Sequence, residues 1–364
     1  MALRLGRLDD TTKPAFEKLL EHAWEQNWGP ELARALVRWR YYDRPSGGDT
    51  WLAFDGDQCI ALLDSFVRPY LLDGRSIVVR ETCDWFCTPK YRPLGVGLRL
   101  MRQVMACPEP LLAIDGSEAT LAILPRLGWV ALPNVQKYAL PMKARSLAGS
   151  LLRRRWPTRE ALANAIPDFI PLRPPRRVPV PADGGARVSE WQPGMPFPFP
   201  RPNDHGLVQA LAQTDLAWIM EMPAWLARPL GLVFFLGEDP VGFSLSQLEP
   251  AASGFEGCIL HLQIAHEAQS VVDWVVSETV RRLAMRDVGM VRCRASGPAK
   301  IAALQNSGFV VRKPHPSYWW PKESAPAPAS IDAGYLRADD ALPFPALRGR
   351  RLGARGENLS ISAA

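Results

Sequence analysis

No two of the six cysteines stand in a CxxC pair, and the five histidines do not gather. Cys59, Cys83, Cys87, Cys107, Cys258 and Cys293 are spread along the chain. That scatter excludes the paired-ligand spacing of a structural zinc site and reads as small buried hydrophobes in a reducing compartment. His261 and His266, five apart, suit neither one helix face nor one strand face, so no metal is expected. Long apolar runs are missing too. "LGLVFFLG", Leu230 to Gly237, has the length of a buried strand and falls far short of the ~20 residues of a membrane helix. The opening "MALRLGRLDDTTK" lacks the apolar centre of a secretory leader, which makes the cytoplasm the expected location. Two phosphate-binding signatures are also absent. No G-x-x-x-x-G-K-[ST] loop occurs, and the one G-x-G followed by a helical pattern has Leu100 where a dinucleotide-binding turn needs its third glycine.

What is present is a chain of 364 residues, 47% apolar and 22% charged, enough for two domains with real cores. The net charge of +6 sits mostly in "LLRRRWPTR", "LRPPRR" and "LRGRRLGARG", segments that read as linker or tail. Nucleic-acid binding asks for basic residues on a folded face interleaved with stacking aromatics, so nucleic acid is not an expected partner. Thirteen tryptophans are present, and core packing is their commoner use.

The pattern along the chain alternates helix and strand signals. Phe16, Leu19, Leu20, Ala23 and Trp24 fall on one helical face, and "ELARALVRWRYYDR" predicts a second helix ending before Pro45. Strand-like runs follow: "TWLAF", "CIALLDSFV" and "SIVVRETCDWFC", separated by turns at Asp55-Gly56-Asp57 and Asp73-Gly74. "LLAID" predicts another strand, "SEATLAILPRLGW" a helix, and "VALPNVQKYALPM" a terminal pair of strands. Twelve prolines between Pro157 and Pro202 then forbid long helices, leaving at most the short helix "TREALANAI", and predict an extended connector.

Beyond the connector the first pattern returns. The stretch from Trp39 to Ser65 is echoed from Trp218 to Ser246, and Ala119 to Pro141 is echoed from Ala299 to Pro321. Trp39 lies 90 residues before Trp129, and Trp218 lies 91 before Phe309. Two anchors at one interval predict a tandem repeat: domains at residues 1–143 and 187–322, a connector at 144–186 and a Pro/Ala-rich basic tail at 323–364.

The most informative stretch is "YRPLGVGLRLM", Tyr91 to Met101. A helix N-terminus carries unpaired N–H groups and partial positive charge, and glycines before it let backbone approach an anion without a Cβ in the way. Leu98, Met101, Val104 and Met105 give the following helix an apolar face. The turn reads R-x-x-G-x-G through Arg92, Gly95 and Gly97. With the preceding strand and the late "LPRLGWVAL", echoed as "LQNSGFVVR", it resembles the GCN5-related N-acetyltransferase (GNAT) superfamily. The resemblance runs from Leu3 to Met142 with the motif, and from Arg187 to Pro321 without it.

That resemblance implies an α+β, three-layer fold in two tandem domains, each a mixed, mostly antiparallel sheet flanked by helices. It implies acetyl-CoA, or another short acyl-CoA, as acyl donor. The backbone of Leu94, Gly95, Val96, Gly97 and Leu98 would cradle the pyrophosphate, Arg92 would orient the turn or lie beside the phosphates, and Trp85, Phe86 and Cys87 would meet the pantetheine amides. Pro93, lacking an N–H, removes one donor. For a base, the strand offers Glu81 and Asp84; three apart, they are expected on opposite faces, so that at most one meets the cleft. Relatives often place a tyrosine where this chain has Leu124, which cannot donate a proton, and an asparagine where it has Ser117. Tyr138 or a residue of the second half is then left to protonate the departing thiolate. The second half has no glycine turn, so only the first is expected to bind acyl-CoA, the second shaping the acceptor cleft. The expected activity is acetyl transfer to an amine of a small polar metabolite or amino sugar. A non-catalytic acyl-CoA-binding or scaffolding protein is the alternative, and an aminoacyl transferase of the FemAB type a more distant one.

Overall fold

The computed structural model describes residues 3–23, 30–45, 47–155, 185–195, 206–251, 254–266 and 268–332, with scattered positions between 156 and 184. The basic tail beyond 332, Trp24, Trp28 and most of the segment read as "TREALANAI" lie outside the described residues.

In the first half β1 (Leu3–Arg7), α1 (Lys13–Ala23) and α2 (Pro30–Val37) come first, and α2 widens into a π turn at Arg38–Tyr42. β2 (Asp49–Asp55), β3 (Gln58–Leu72) and β4 (Arg75–Cys87) make an antiparallel meander. A 3₁₀ turn (Pro89–Leu94) leads into α3 (Val96–Met105), then β5 (Leu111–Ile114), α4 (Glu118–Ile123) and β6 (Val130–Pro141). α5 (Ala144–Arg155) opens the connector. The second half is β7 (Arg187–Trp191), β8 (Leu207–Gln209), α6 (Gln213–Met220), β9 (Arg228–Leu236), β10 (Asp239–Ala251), β11 (Gly254–Ile264), α7 (Gln269–Ala284), β12 (Val288–Ala295), α8 (Pro298–Asn306), β13 (Val310–Trp320) and β14 (Ile331–Asp332). Local patterns account for the helices. α3 buries Val96, Leu100, Met101 and Val104 at helical spacing, and α1 buries Phe16, Leu19 and Leu20.

The strand order is β1-β2-β3-β4-β5-β13-β6-β12-β11-β10-β9-β7, which reads the same way from either end once the repeat is applied. Along this path each half has one parallel pair, β4 with β5 and β11 with β12, and is otherwise antiparallel; off it, the short β8 pairs parallel with β14 and antiparallel with β3. The last strands are exchanged. β13 of the second half pairs with β5, β6 of the first half pairs with β12, and β6 and β13 pair with each other at the centre. The predicted terminal pair of strands in "VALPNVQKYALPM" is therefore one twelve-residue strand, because its partners come from the other half.

The two halves also meet through their equivalent tryptophans. Trp39 and Trp218 stack with centroids 4.5 Å apart and planes 10° apart. Each indole donates to the other's carbonyl, Trp39 Nε1 to Trp218 O at 2.8 Å and Trp218 Nε1 to Trp39 O at 2.7 Å. That reciprocity is the signature of an isologous contact, here within a single chain.

Candidate active site

β4 and β5 pair only at Arg80–Leu111 and Glu81–Leu112, and their ladder ends there. Beyond that pair lies a cleft of about 340 Å³, lined by Asp84 and Trp85 on one side and Asp115, Gly116 and Ser117 on the other, with Met101 and Leu124 completing it. At the equivalent place in the second half the β11–β12 ladder continues to Ile259–Cys293, closing the sheet further along.

The glycine turn stands at the start of α3. Gly95 takes a left-handed conformation at φ 68°, and a Cβ there would meet nothing within 4 Å, so the backbone is bare on that side. Arg92 Nε donates to the Cys87 carbonyl at 2.8 Å and clamps the turn to the end of β4. The predicted cradle is narrowed at two points. The Gly95 N–H is committed to Arg92 O at 3.1 Å, and the Gly97 N–H bonds the Cys87 sulfur, partly offsetting the rise that burial gives that thiol. Val96 and Leu98 then carry the helix-start donors. Trp85 Nε1 donates to Gly97 O at 3.1 Å, tying strand to cradle, and a Cβ at Gly97 would come within 3.1 Å of that nitrogen. Phe86 and Cys87 pair with Leu62 and Ala61 on one edge, and the Cys87 carbonyl is taken by Arg92, which removes it from the groups offered to a pantetheine arm.

The two carboxylates of β4 part company for a reason the strand spacing did not reveal. Leu62 pairs with Phe86 and Asp64 with Cys83, so two residues of β4, Asp84 and Trp85, face one of β3. This is a β-bulge, with Asp84 at φ 45°. Bulging breaks the alternation, bringing Cys83 and Asp84 together beside Asp64, with ligand atoms all within 4.8 Å. Asp84 lines the cleft. Glu81 does not: it is 1% exposed, bonded by the Tyr70 hydroxyl, and Gln209 Nε2 of the second half reaches its Oε1 at 3.2 Å.

Asp84 is held by the π turn. Arg40 Nε and Nη2 donate to Oδ2 at 2.9 and 2.5 Å, and the Tyr41 hydroxyl donates to the same oxygen at 2.7 Å. Oδ1 makes no hydrogen bond among the described residues. Burial disfavours the Arg40 cation, but Asp84, with Tyr41, Cys83 and Asp64 behind it, outweighs burial and pushes the guanidinium's pKa up. Burial, then Asp84, raises the Tyr41 phenol well above its ordinary value, so it remains a donor. Asp64 is held likewise by Arg44 Nη1 at 2.8 Å and Thr50 Oγ1 at 2.6 Å, and burial pushes its carboxyl up. Arg40 and Arg44 thus supply the positive charge beside these carboxylates.

Ser117 is the N-cap of α4, its Oγ accepting from the Thr120 N–H at 3.2 Å. Leu124 is fully buried in the cleft wall. Tyr138 is 1% exposed and donates to Gln136 Oε1 at 3.1 Å, away from the cleft lining. At the cleft rim Asp115, at φ 67°, lies 3.6 Å from Lys137 Nζ and 3.9 Å from Arg294 Nη2 of β12. Sequence reasoning missed Arg40, Tyr41, Asp115 and Arg294. Arg294 joins the site only through the strand exchange, and Arg40 only through the bulge.

No family model matches the chain, and no curated protein matches it either. Solved structures do. A probable N-acyltransferase from Enterococcus faecalis V583 superposes with TM-score 0.55 at 9% identity, covering 87% of this chain and 72% of that one. A GCN5-related N-acetyltransferase from Anabaena variabilis gives 0.53 at 10%, with coverage of 87% and 72%. The Saccharomyces cerevisiae N-myristoyltransferase with bound myristoyl-CoA gives 0.55 at 10%, with coverage of 88% and 82%. At such identities the likeness is one of fold. The chain has the GNAT fold, in two tandem halves. No helix among the described residues is long and apolar enough to cross a membrane.

Proposed function

We propose that the protein is an acyl-CoA-dependent N-acyltransferase whose reaction takes place in the β4–β5 cleft of the first half. The observation that carries this reading is the conjunction of an open cleft, a carboxylate among the residues that line it and a bare left-handed glycine at the start of the ten-residue helix that contributes Met101 to the same lining. The diphosphate of the donor fits the N–H groups of Val96 and Leu98, with Arg92 fixing the turn. Thr82, Cys83 and Asp84 make the β4 wall polar, which favours acetyl or another short acyl group over a long apolar chain. An activated thioester is the chemistry the donor supplies.

On this reading the acceptor enters as a primary ammonium and loses a proton to Asp84 Oδ1. The amine lone pair forms the C–N bond at the thioester carbonyl. The C–S bond breaks with its electrons on sulfur, the second proton of the former ammonium leaves the nitrogen to solvent, and solvent protonates the thiolate, since Leu124 cannot. The second half closes the acceptor side, contributing Arg294 at the rim. A small polar amine, an amino sugar among them, is the acceptor class we would try first, and the cytoplasm is the compartment that suits it. Leu124 motivates a second reading, a non-catalytic acyl-CoA-binding protein.

Calorimetric titration with acetyl-CoA, wild type beside Gly95→Asp/Gly97→Asp, tests the donor site. Micromolar binding that falls at least ~30-fold in the variant is expected, because two carboxylates would face the diphosphate. No binding by the wild type would leave the glycine turn a purely structural device. Thiol release with a panel of amines then separates enzyme from binder.

A further inference from the structure

The chain contains its own control for the Arg40–Tyr41–Asp84 constellation. Trp39 and Trp218 are equivalent in the repeat and stack on each other, so Arg40 and Tyr41 correspond to Ile219 and Met220. β11 is bulged too, one position earlier: Ser65 pairs with Thr82 as Ser246 pairs with Ile259, so the extra residue Leu260 stands level with Cys83, and His261 follows where the first half has Asp84. Ile219 and Leu260 are 1% and 0% exposed and belong to one apolar cluster between the halves. The second half therefore has apolar side chains where the first has a buried guanidinium and a phenol, and a buried imidazole with a neutral partner, His261, where the first has the carboxylate.

Stability does not account for the polar version. A buried ion pair is commonly matched or bettered by well-packed apolar residues, because desolvating two charges offsets their attraction. Local geometry adds to the cost: Asp84 sits at positive φ, while His261 does not. Arg40 and Tyr41, moreover, come from a π turn, a rare form of backbone that concentrates at working sites. Among the described residues the hydrogen bonds to Asp84 fall on Oδ2, which leaves Oδ1 of this cleft-lining residue uncommitted.

We infer that Arg40 and Tyr41 are positioning residues for the transfer reaction: they lock the Asp84 bulge and its carboxylate so that Oδ1 receives the acceptor's ammonium group. This rests on the acyltransferase reading above. It adds that the first half is the working half because of these side chains as well as the glycine turn, and that the acceptor is recognised as a cation.

The test uses the full chain and the neutral triple variant Arg40→Met/Tyr41→Phe/Asp84→Asn, which removes both charges together and keeps a residue tolerant of positive φ at 84. It should melt within about 5 °C of wild type and bind acetyl-CoA within threefold of wild type. Its thiol release with a panel of primary amines should drop about 100-fold or more. Arg40→Lys keeps the charge without the fork and should recover part of the rate, lowering kcat about 10-fold with KM for acetyl-CoA unchanged. A triple variant that melts far below wild type would make the constellation structural and overturn the inference. So would one that turns over like wild type. If the wild type binds acetyl-CoA but releases thiol with no amine, the acyltransferase reading itself falls. Wild-type turnover retained in the triple variant brings down the positioning role and Asp84 as proton acceptor with it, while acyl transfer itself stands.

Discussion

His261 sits beside the β11 bulge at 6% exposure, with Nε2 3.4 Å from Gln263 Oε1. Burial, and then the nearby Lys300 charge, lower its pKa from 6.5 to about 4. The sign follows from which state binds the proton. Between pH 6.5 and about 4 the unfolded chain protonates this imidazole and the folded chain does not, so stability is full above 6.5 and falls as pH drops. The loss across that window is on the order of 3 kcal/mol. Urea denaturation at pH 7 and pH 4.5 should show a smaller pH-dependent loss in His261→Gln than in wild type, the difference isolating His261 from the carboxylates that titrate alongside it. Equal losses in the two proteins would mean that His261 is solvated in the folded state.

At the scale of elements, α4 is six residues long and depends on its cap. Ser117 Oγ satisfies the Thr120 N–H, so Ser117→Ala should cost about 1 kcal/mol in chemical denaturation. A fall in turnover out of proportion to that loss would return Ser117 to the chemistry. This element also shows what was legible in the sequence. Ser117 was read for the chemistry of relatives and stands as a cap, whereas the glycine turn at Gly95 and, at Met101 and Val104, the apolar face of α3 are written locally, within a few helical turns, and both were readable. The bulge was not, since it depends on a register between β3 and β4 that no single strand encodes. Alternation alone therefore set Glu81 and Asp84 on opposite faces, whereas the structure buries Glu81 under Gln209 and leaves Asp84 at the cleft. Arg40 and Asp84 are 44 residues apart, and nothing in either neighbourhood announces the other.

At the scale of the molecule, the repeat could be read from Trp39 and Trp218, but not that these two residues touch or that the last strands change places. Both facts bear on cooperativity. Without β13, β5 has lost its antiparallel neighbour, and without β12, β6 exposes a long edge of unpaired backbone groups. The halves should therefore unfold in one transition, despite being two repeats. Trp39→Ala removes a stacked ring, the indole's hydrogen bond to the Trp218 carbonyl and a large member of an apolar cluster drawn from both halves. A loss of about 3–5 kcal/mol is expected. The whole chain should still melt as a single event at a lower temperature, with near-UV and far-UV signals falling together. Two separated transitions, with one half unmoved by the substitution, would show that the exchanged strands do not couple the halves. The acceptor cleft would then have to be argued from the first half alone.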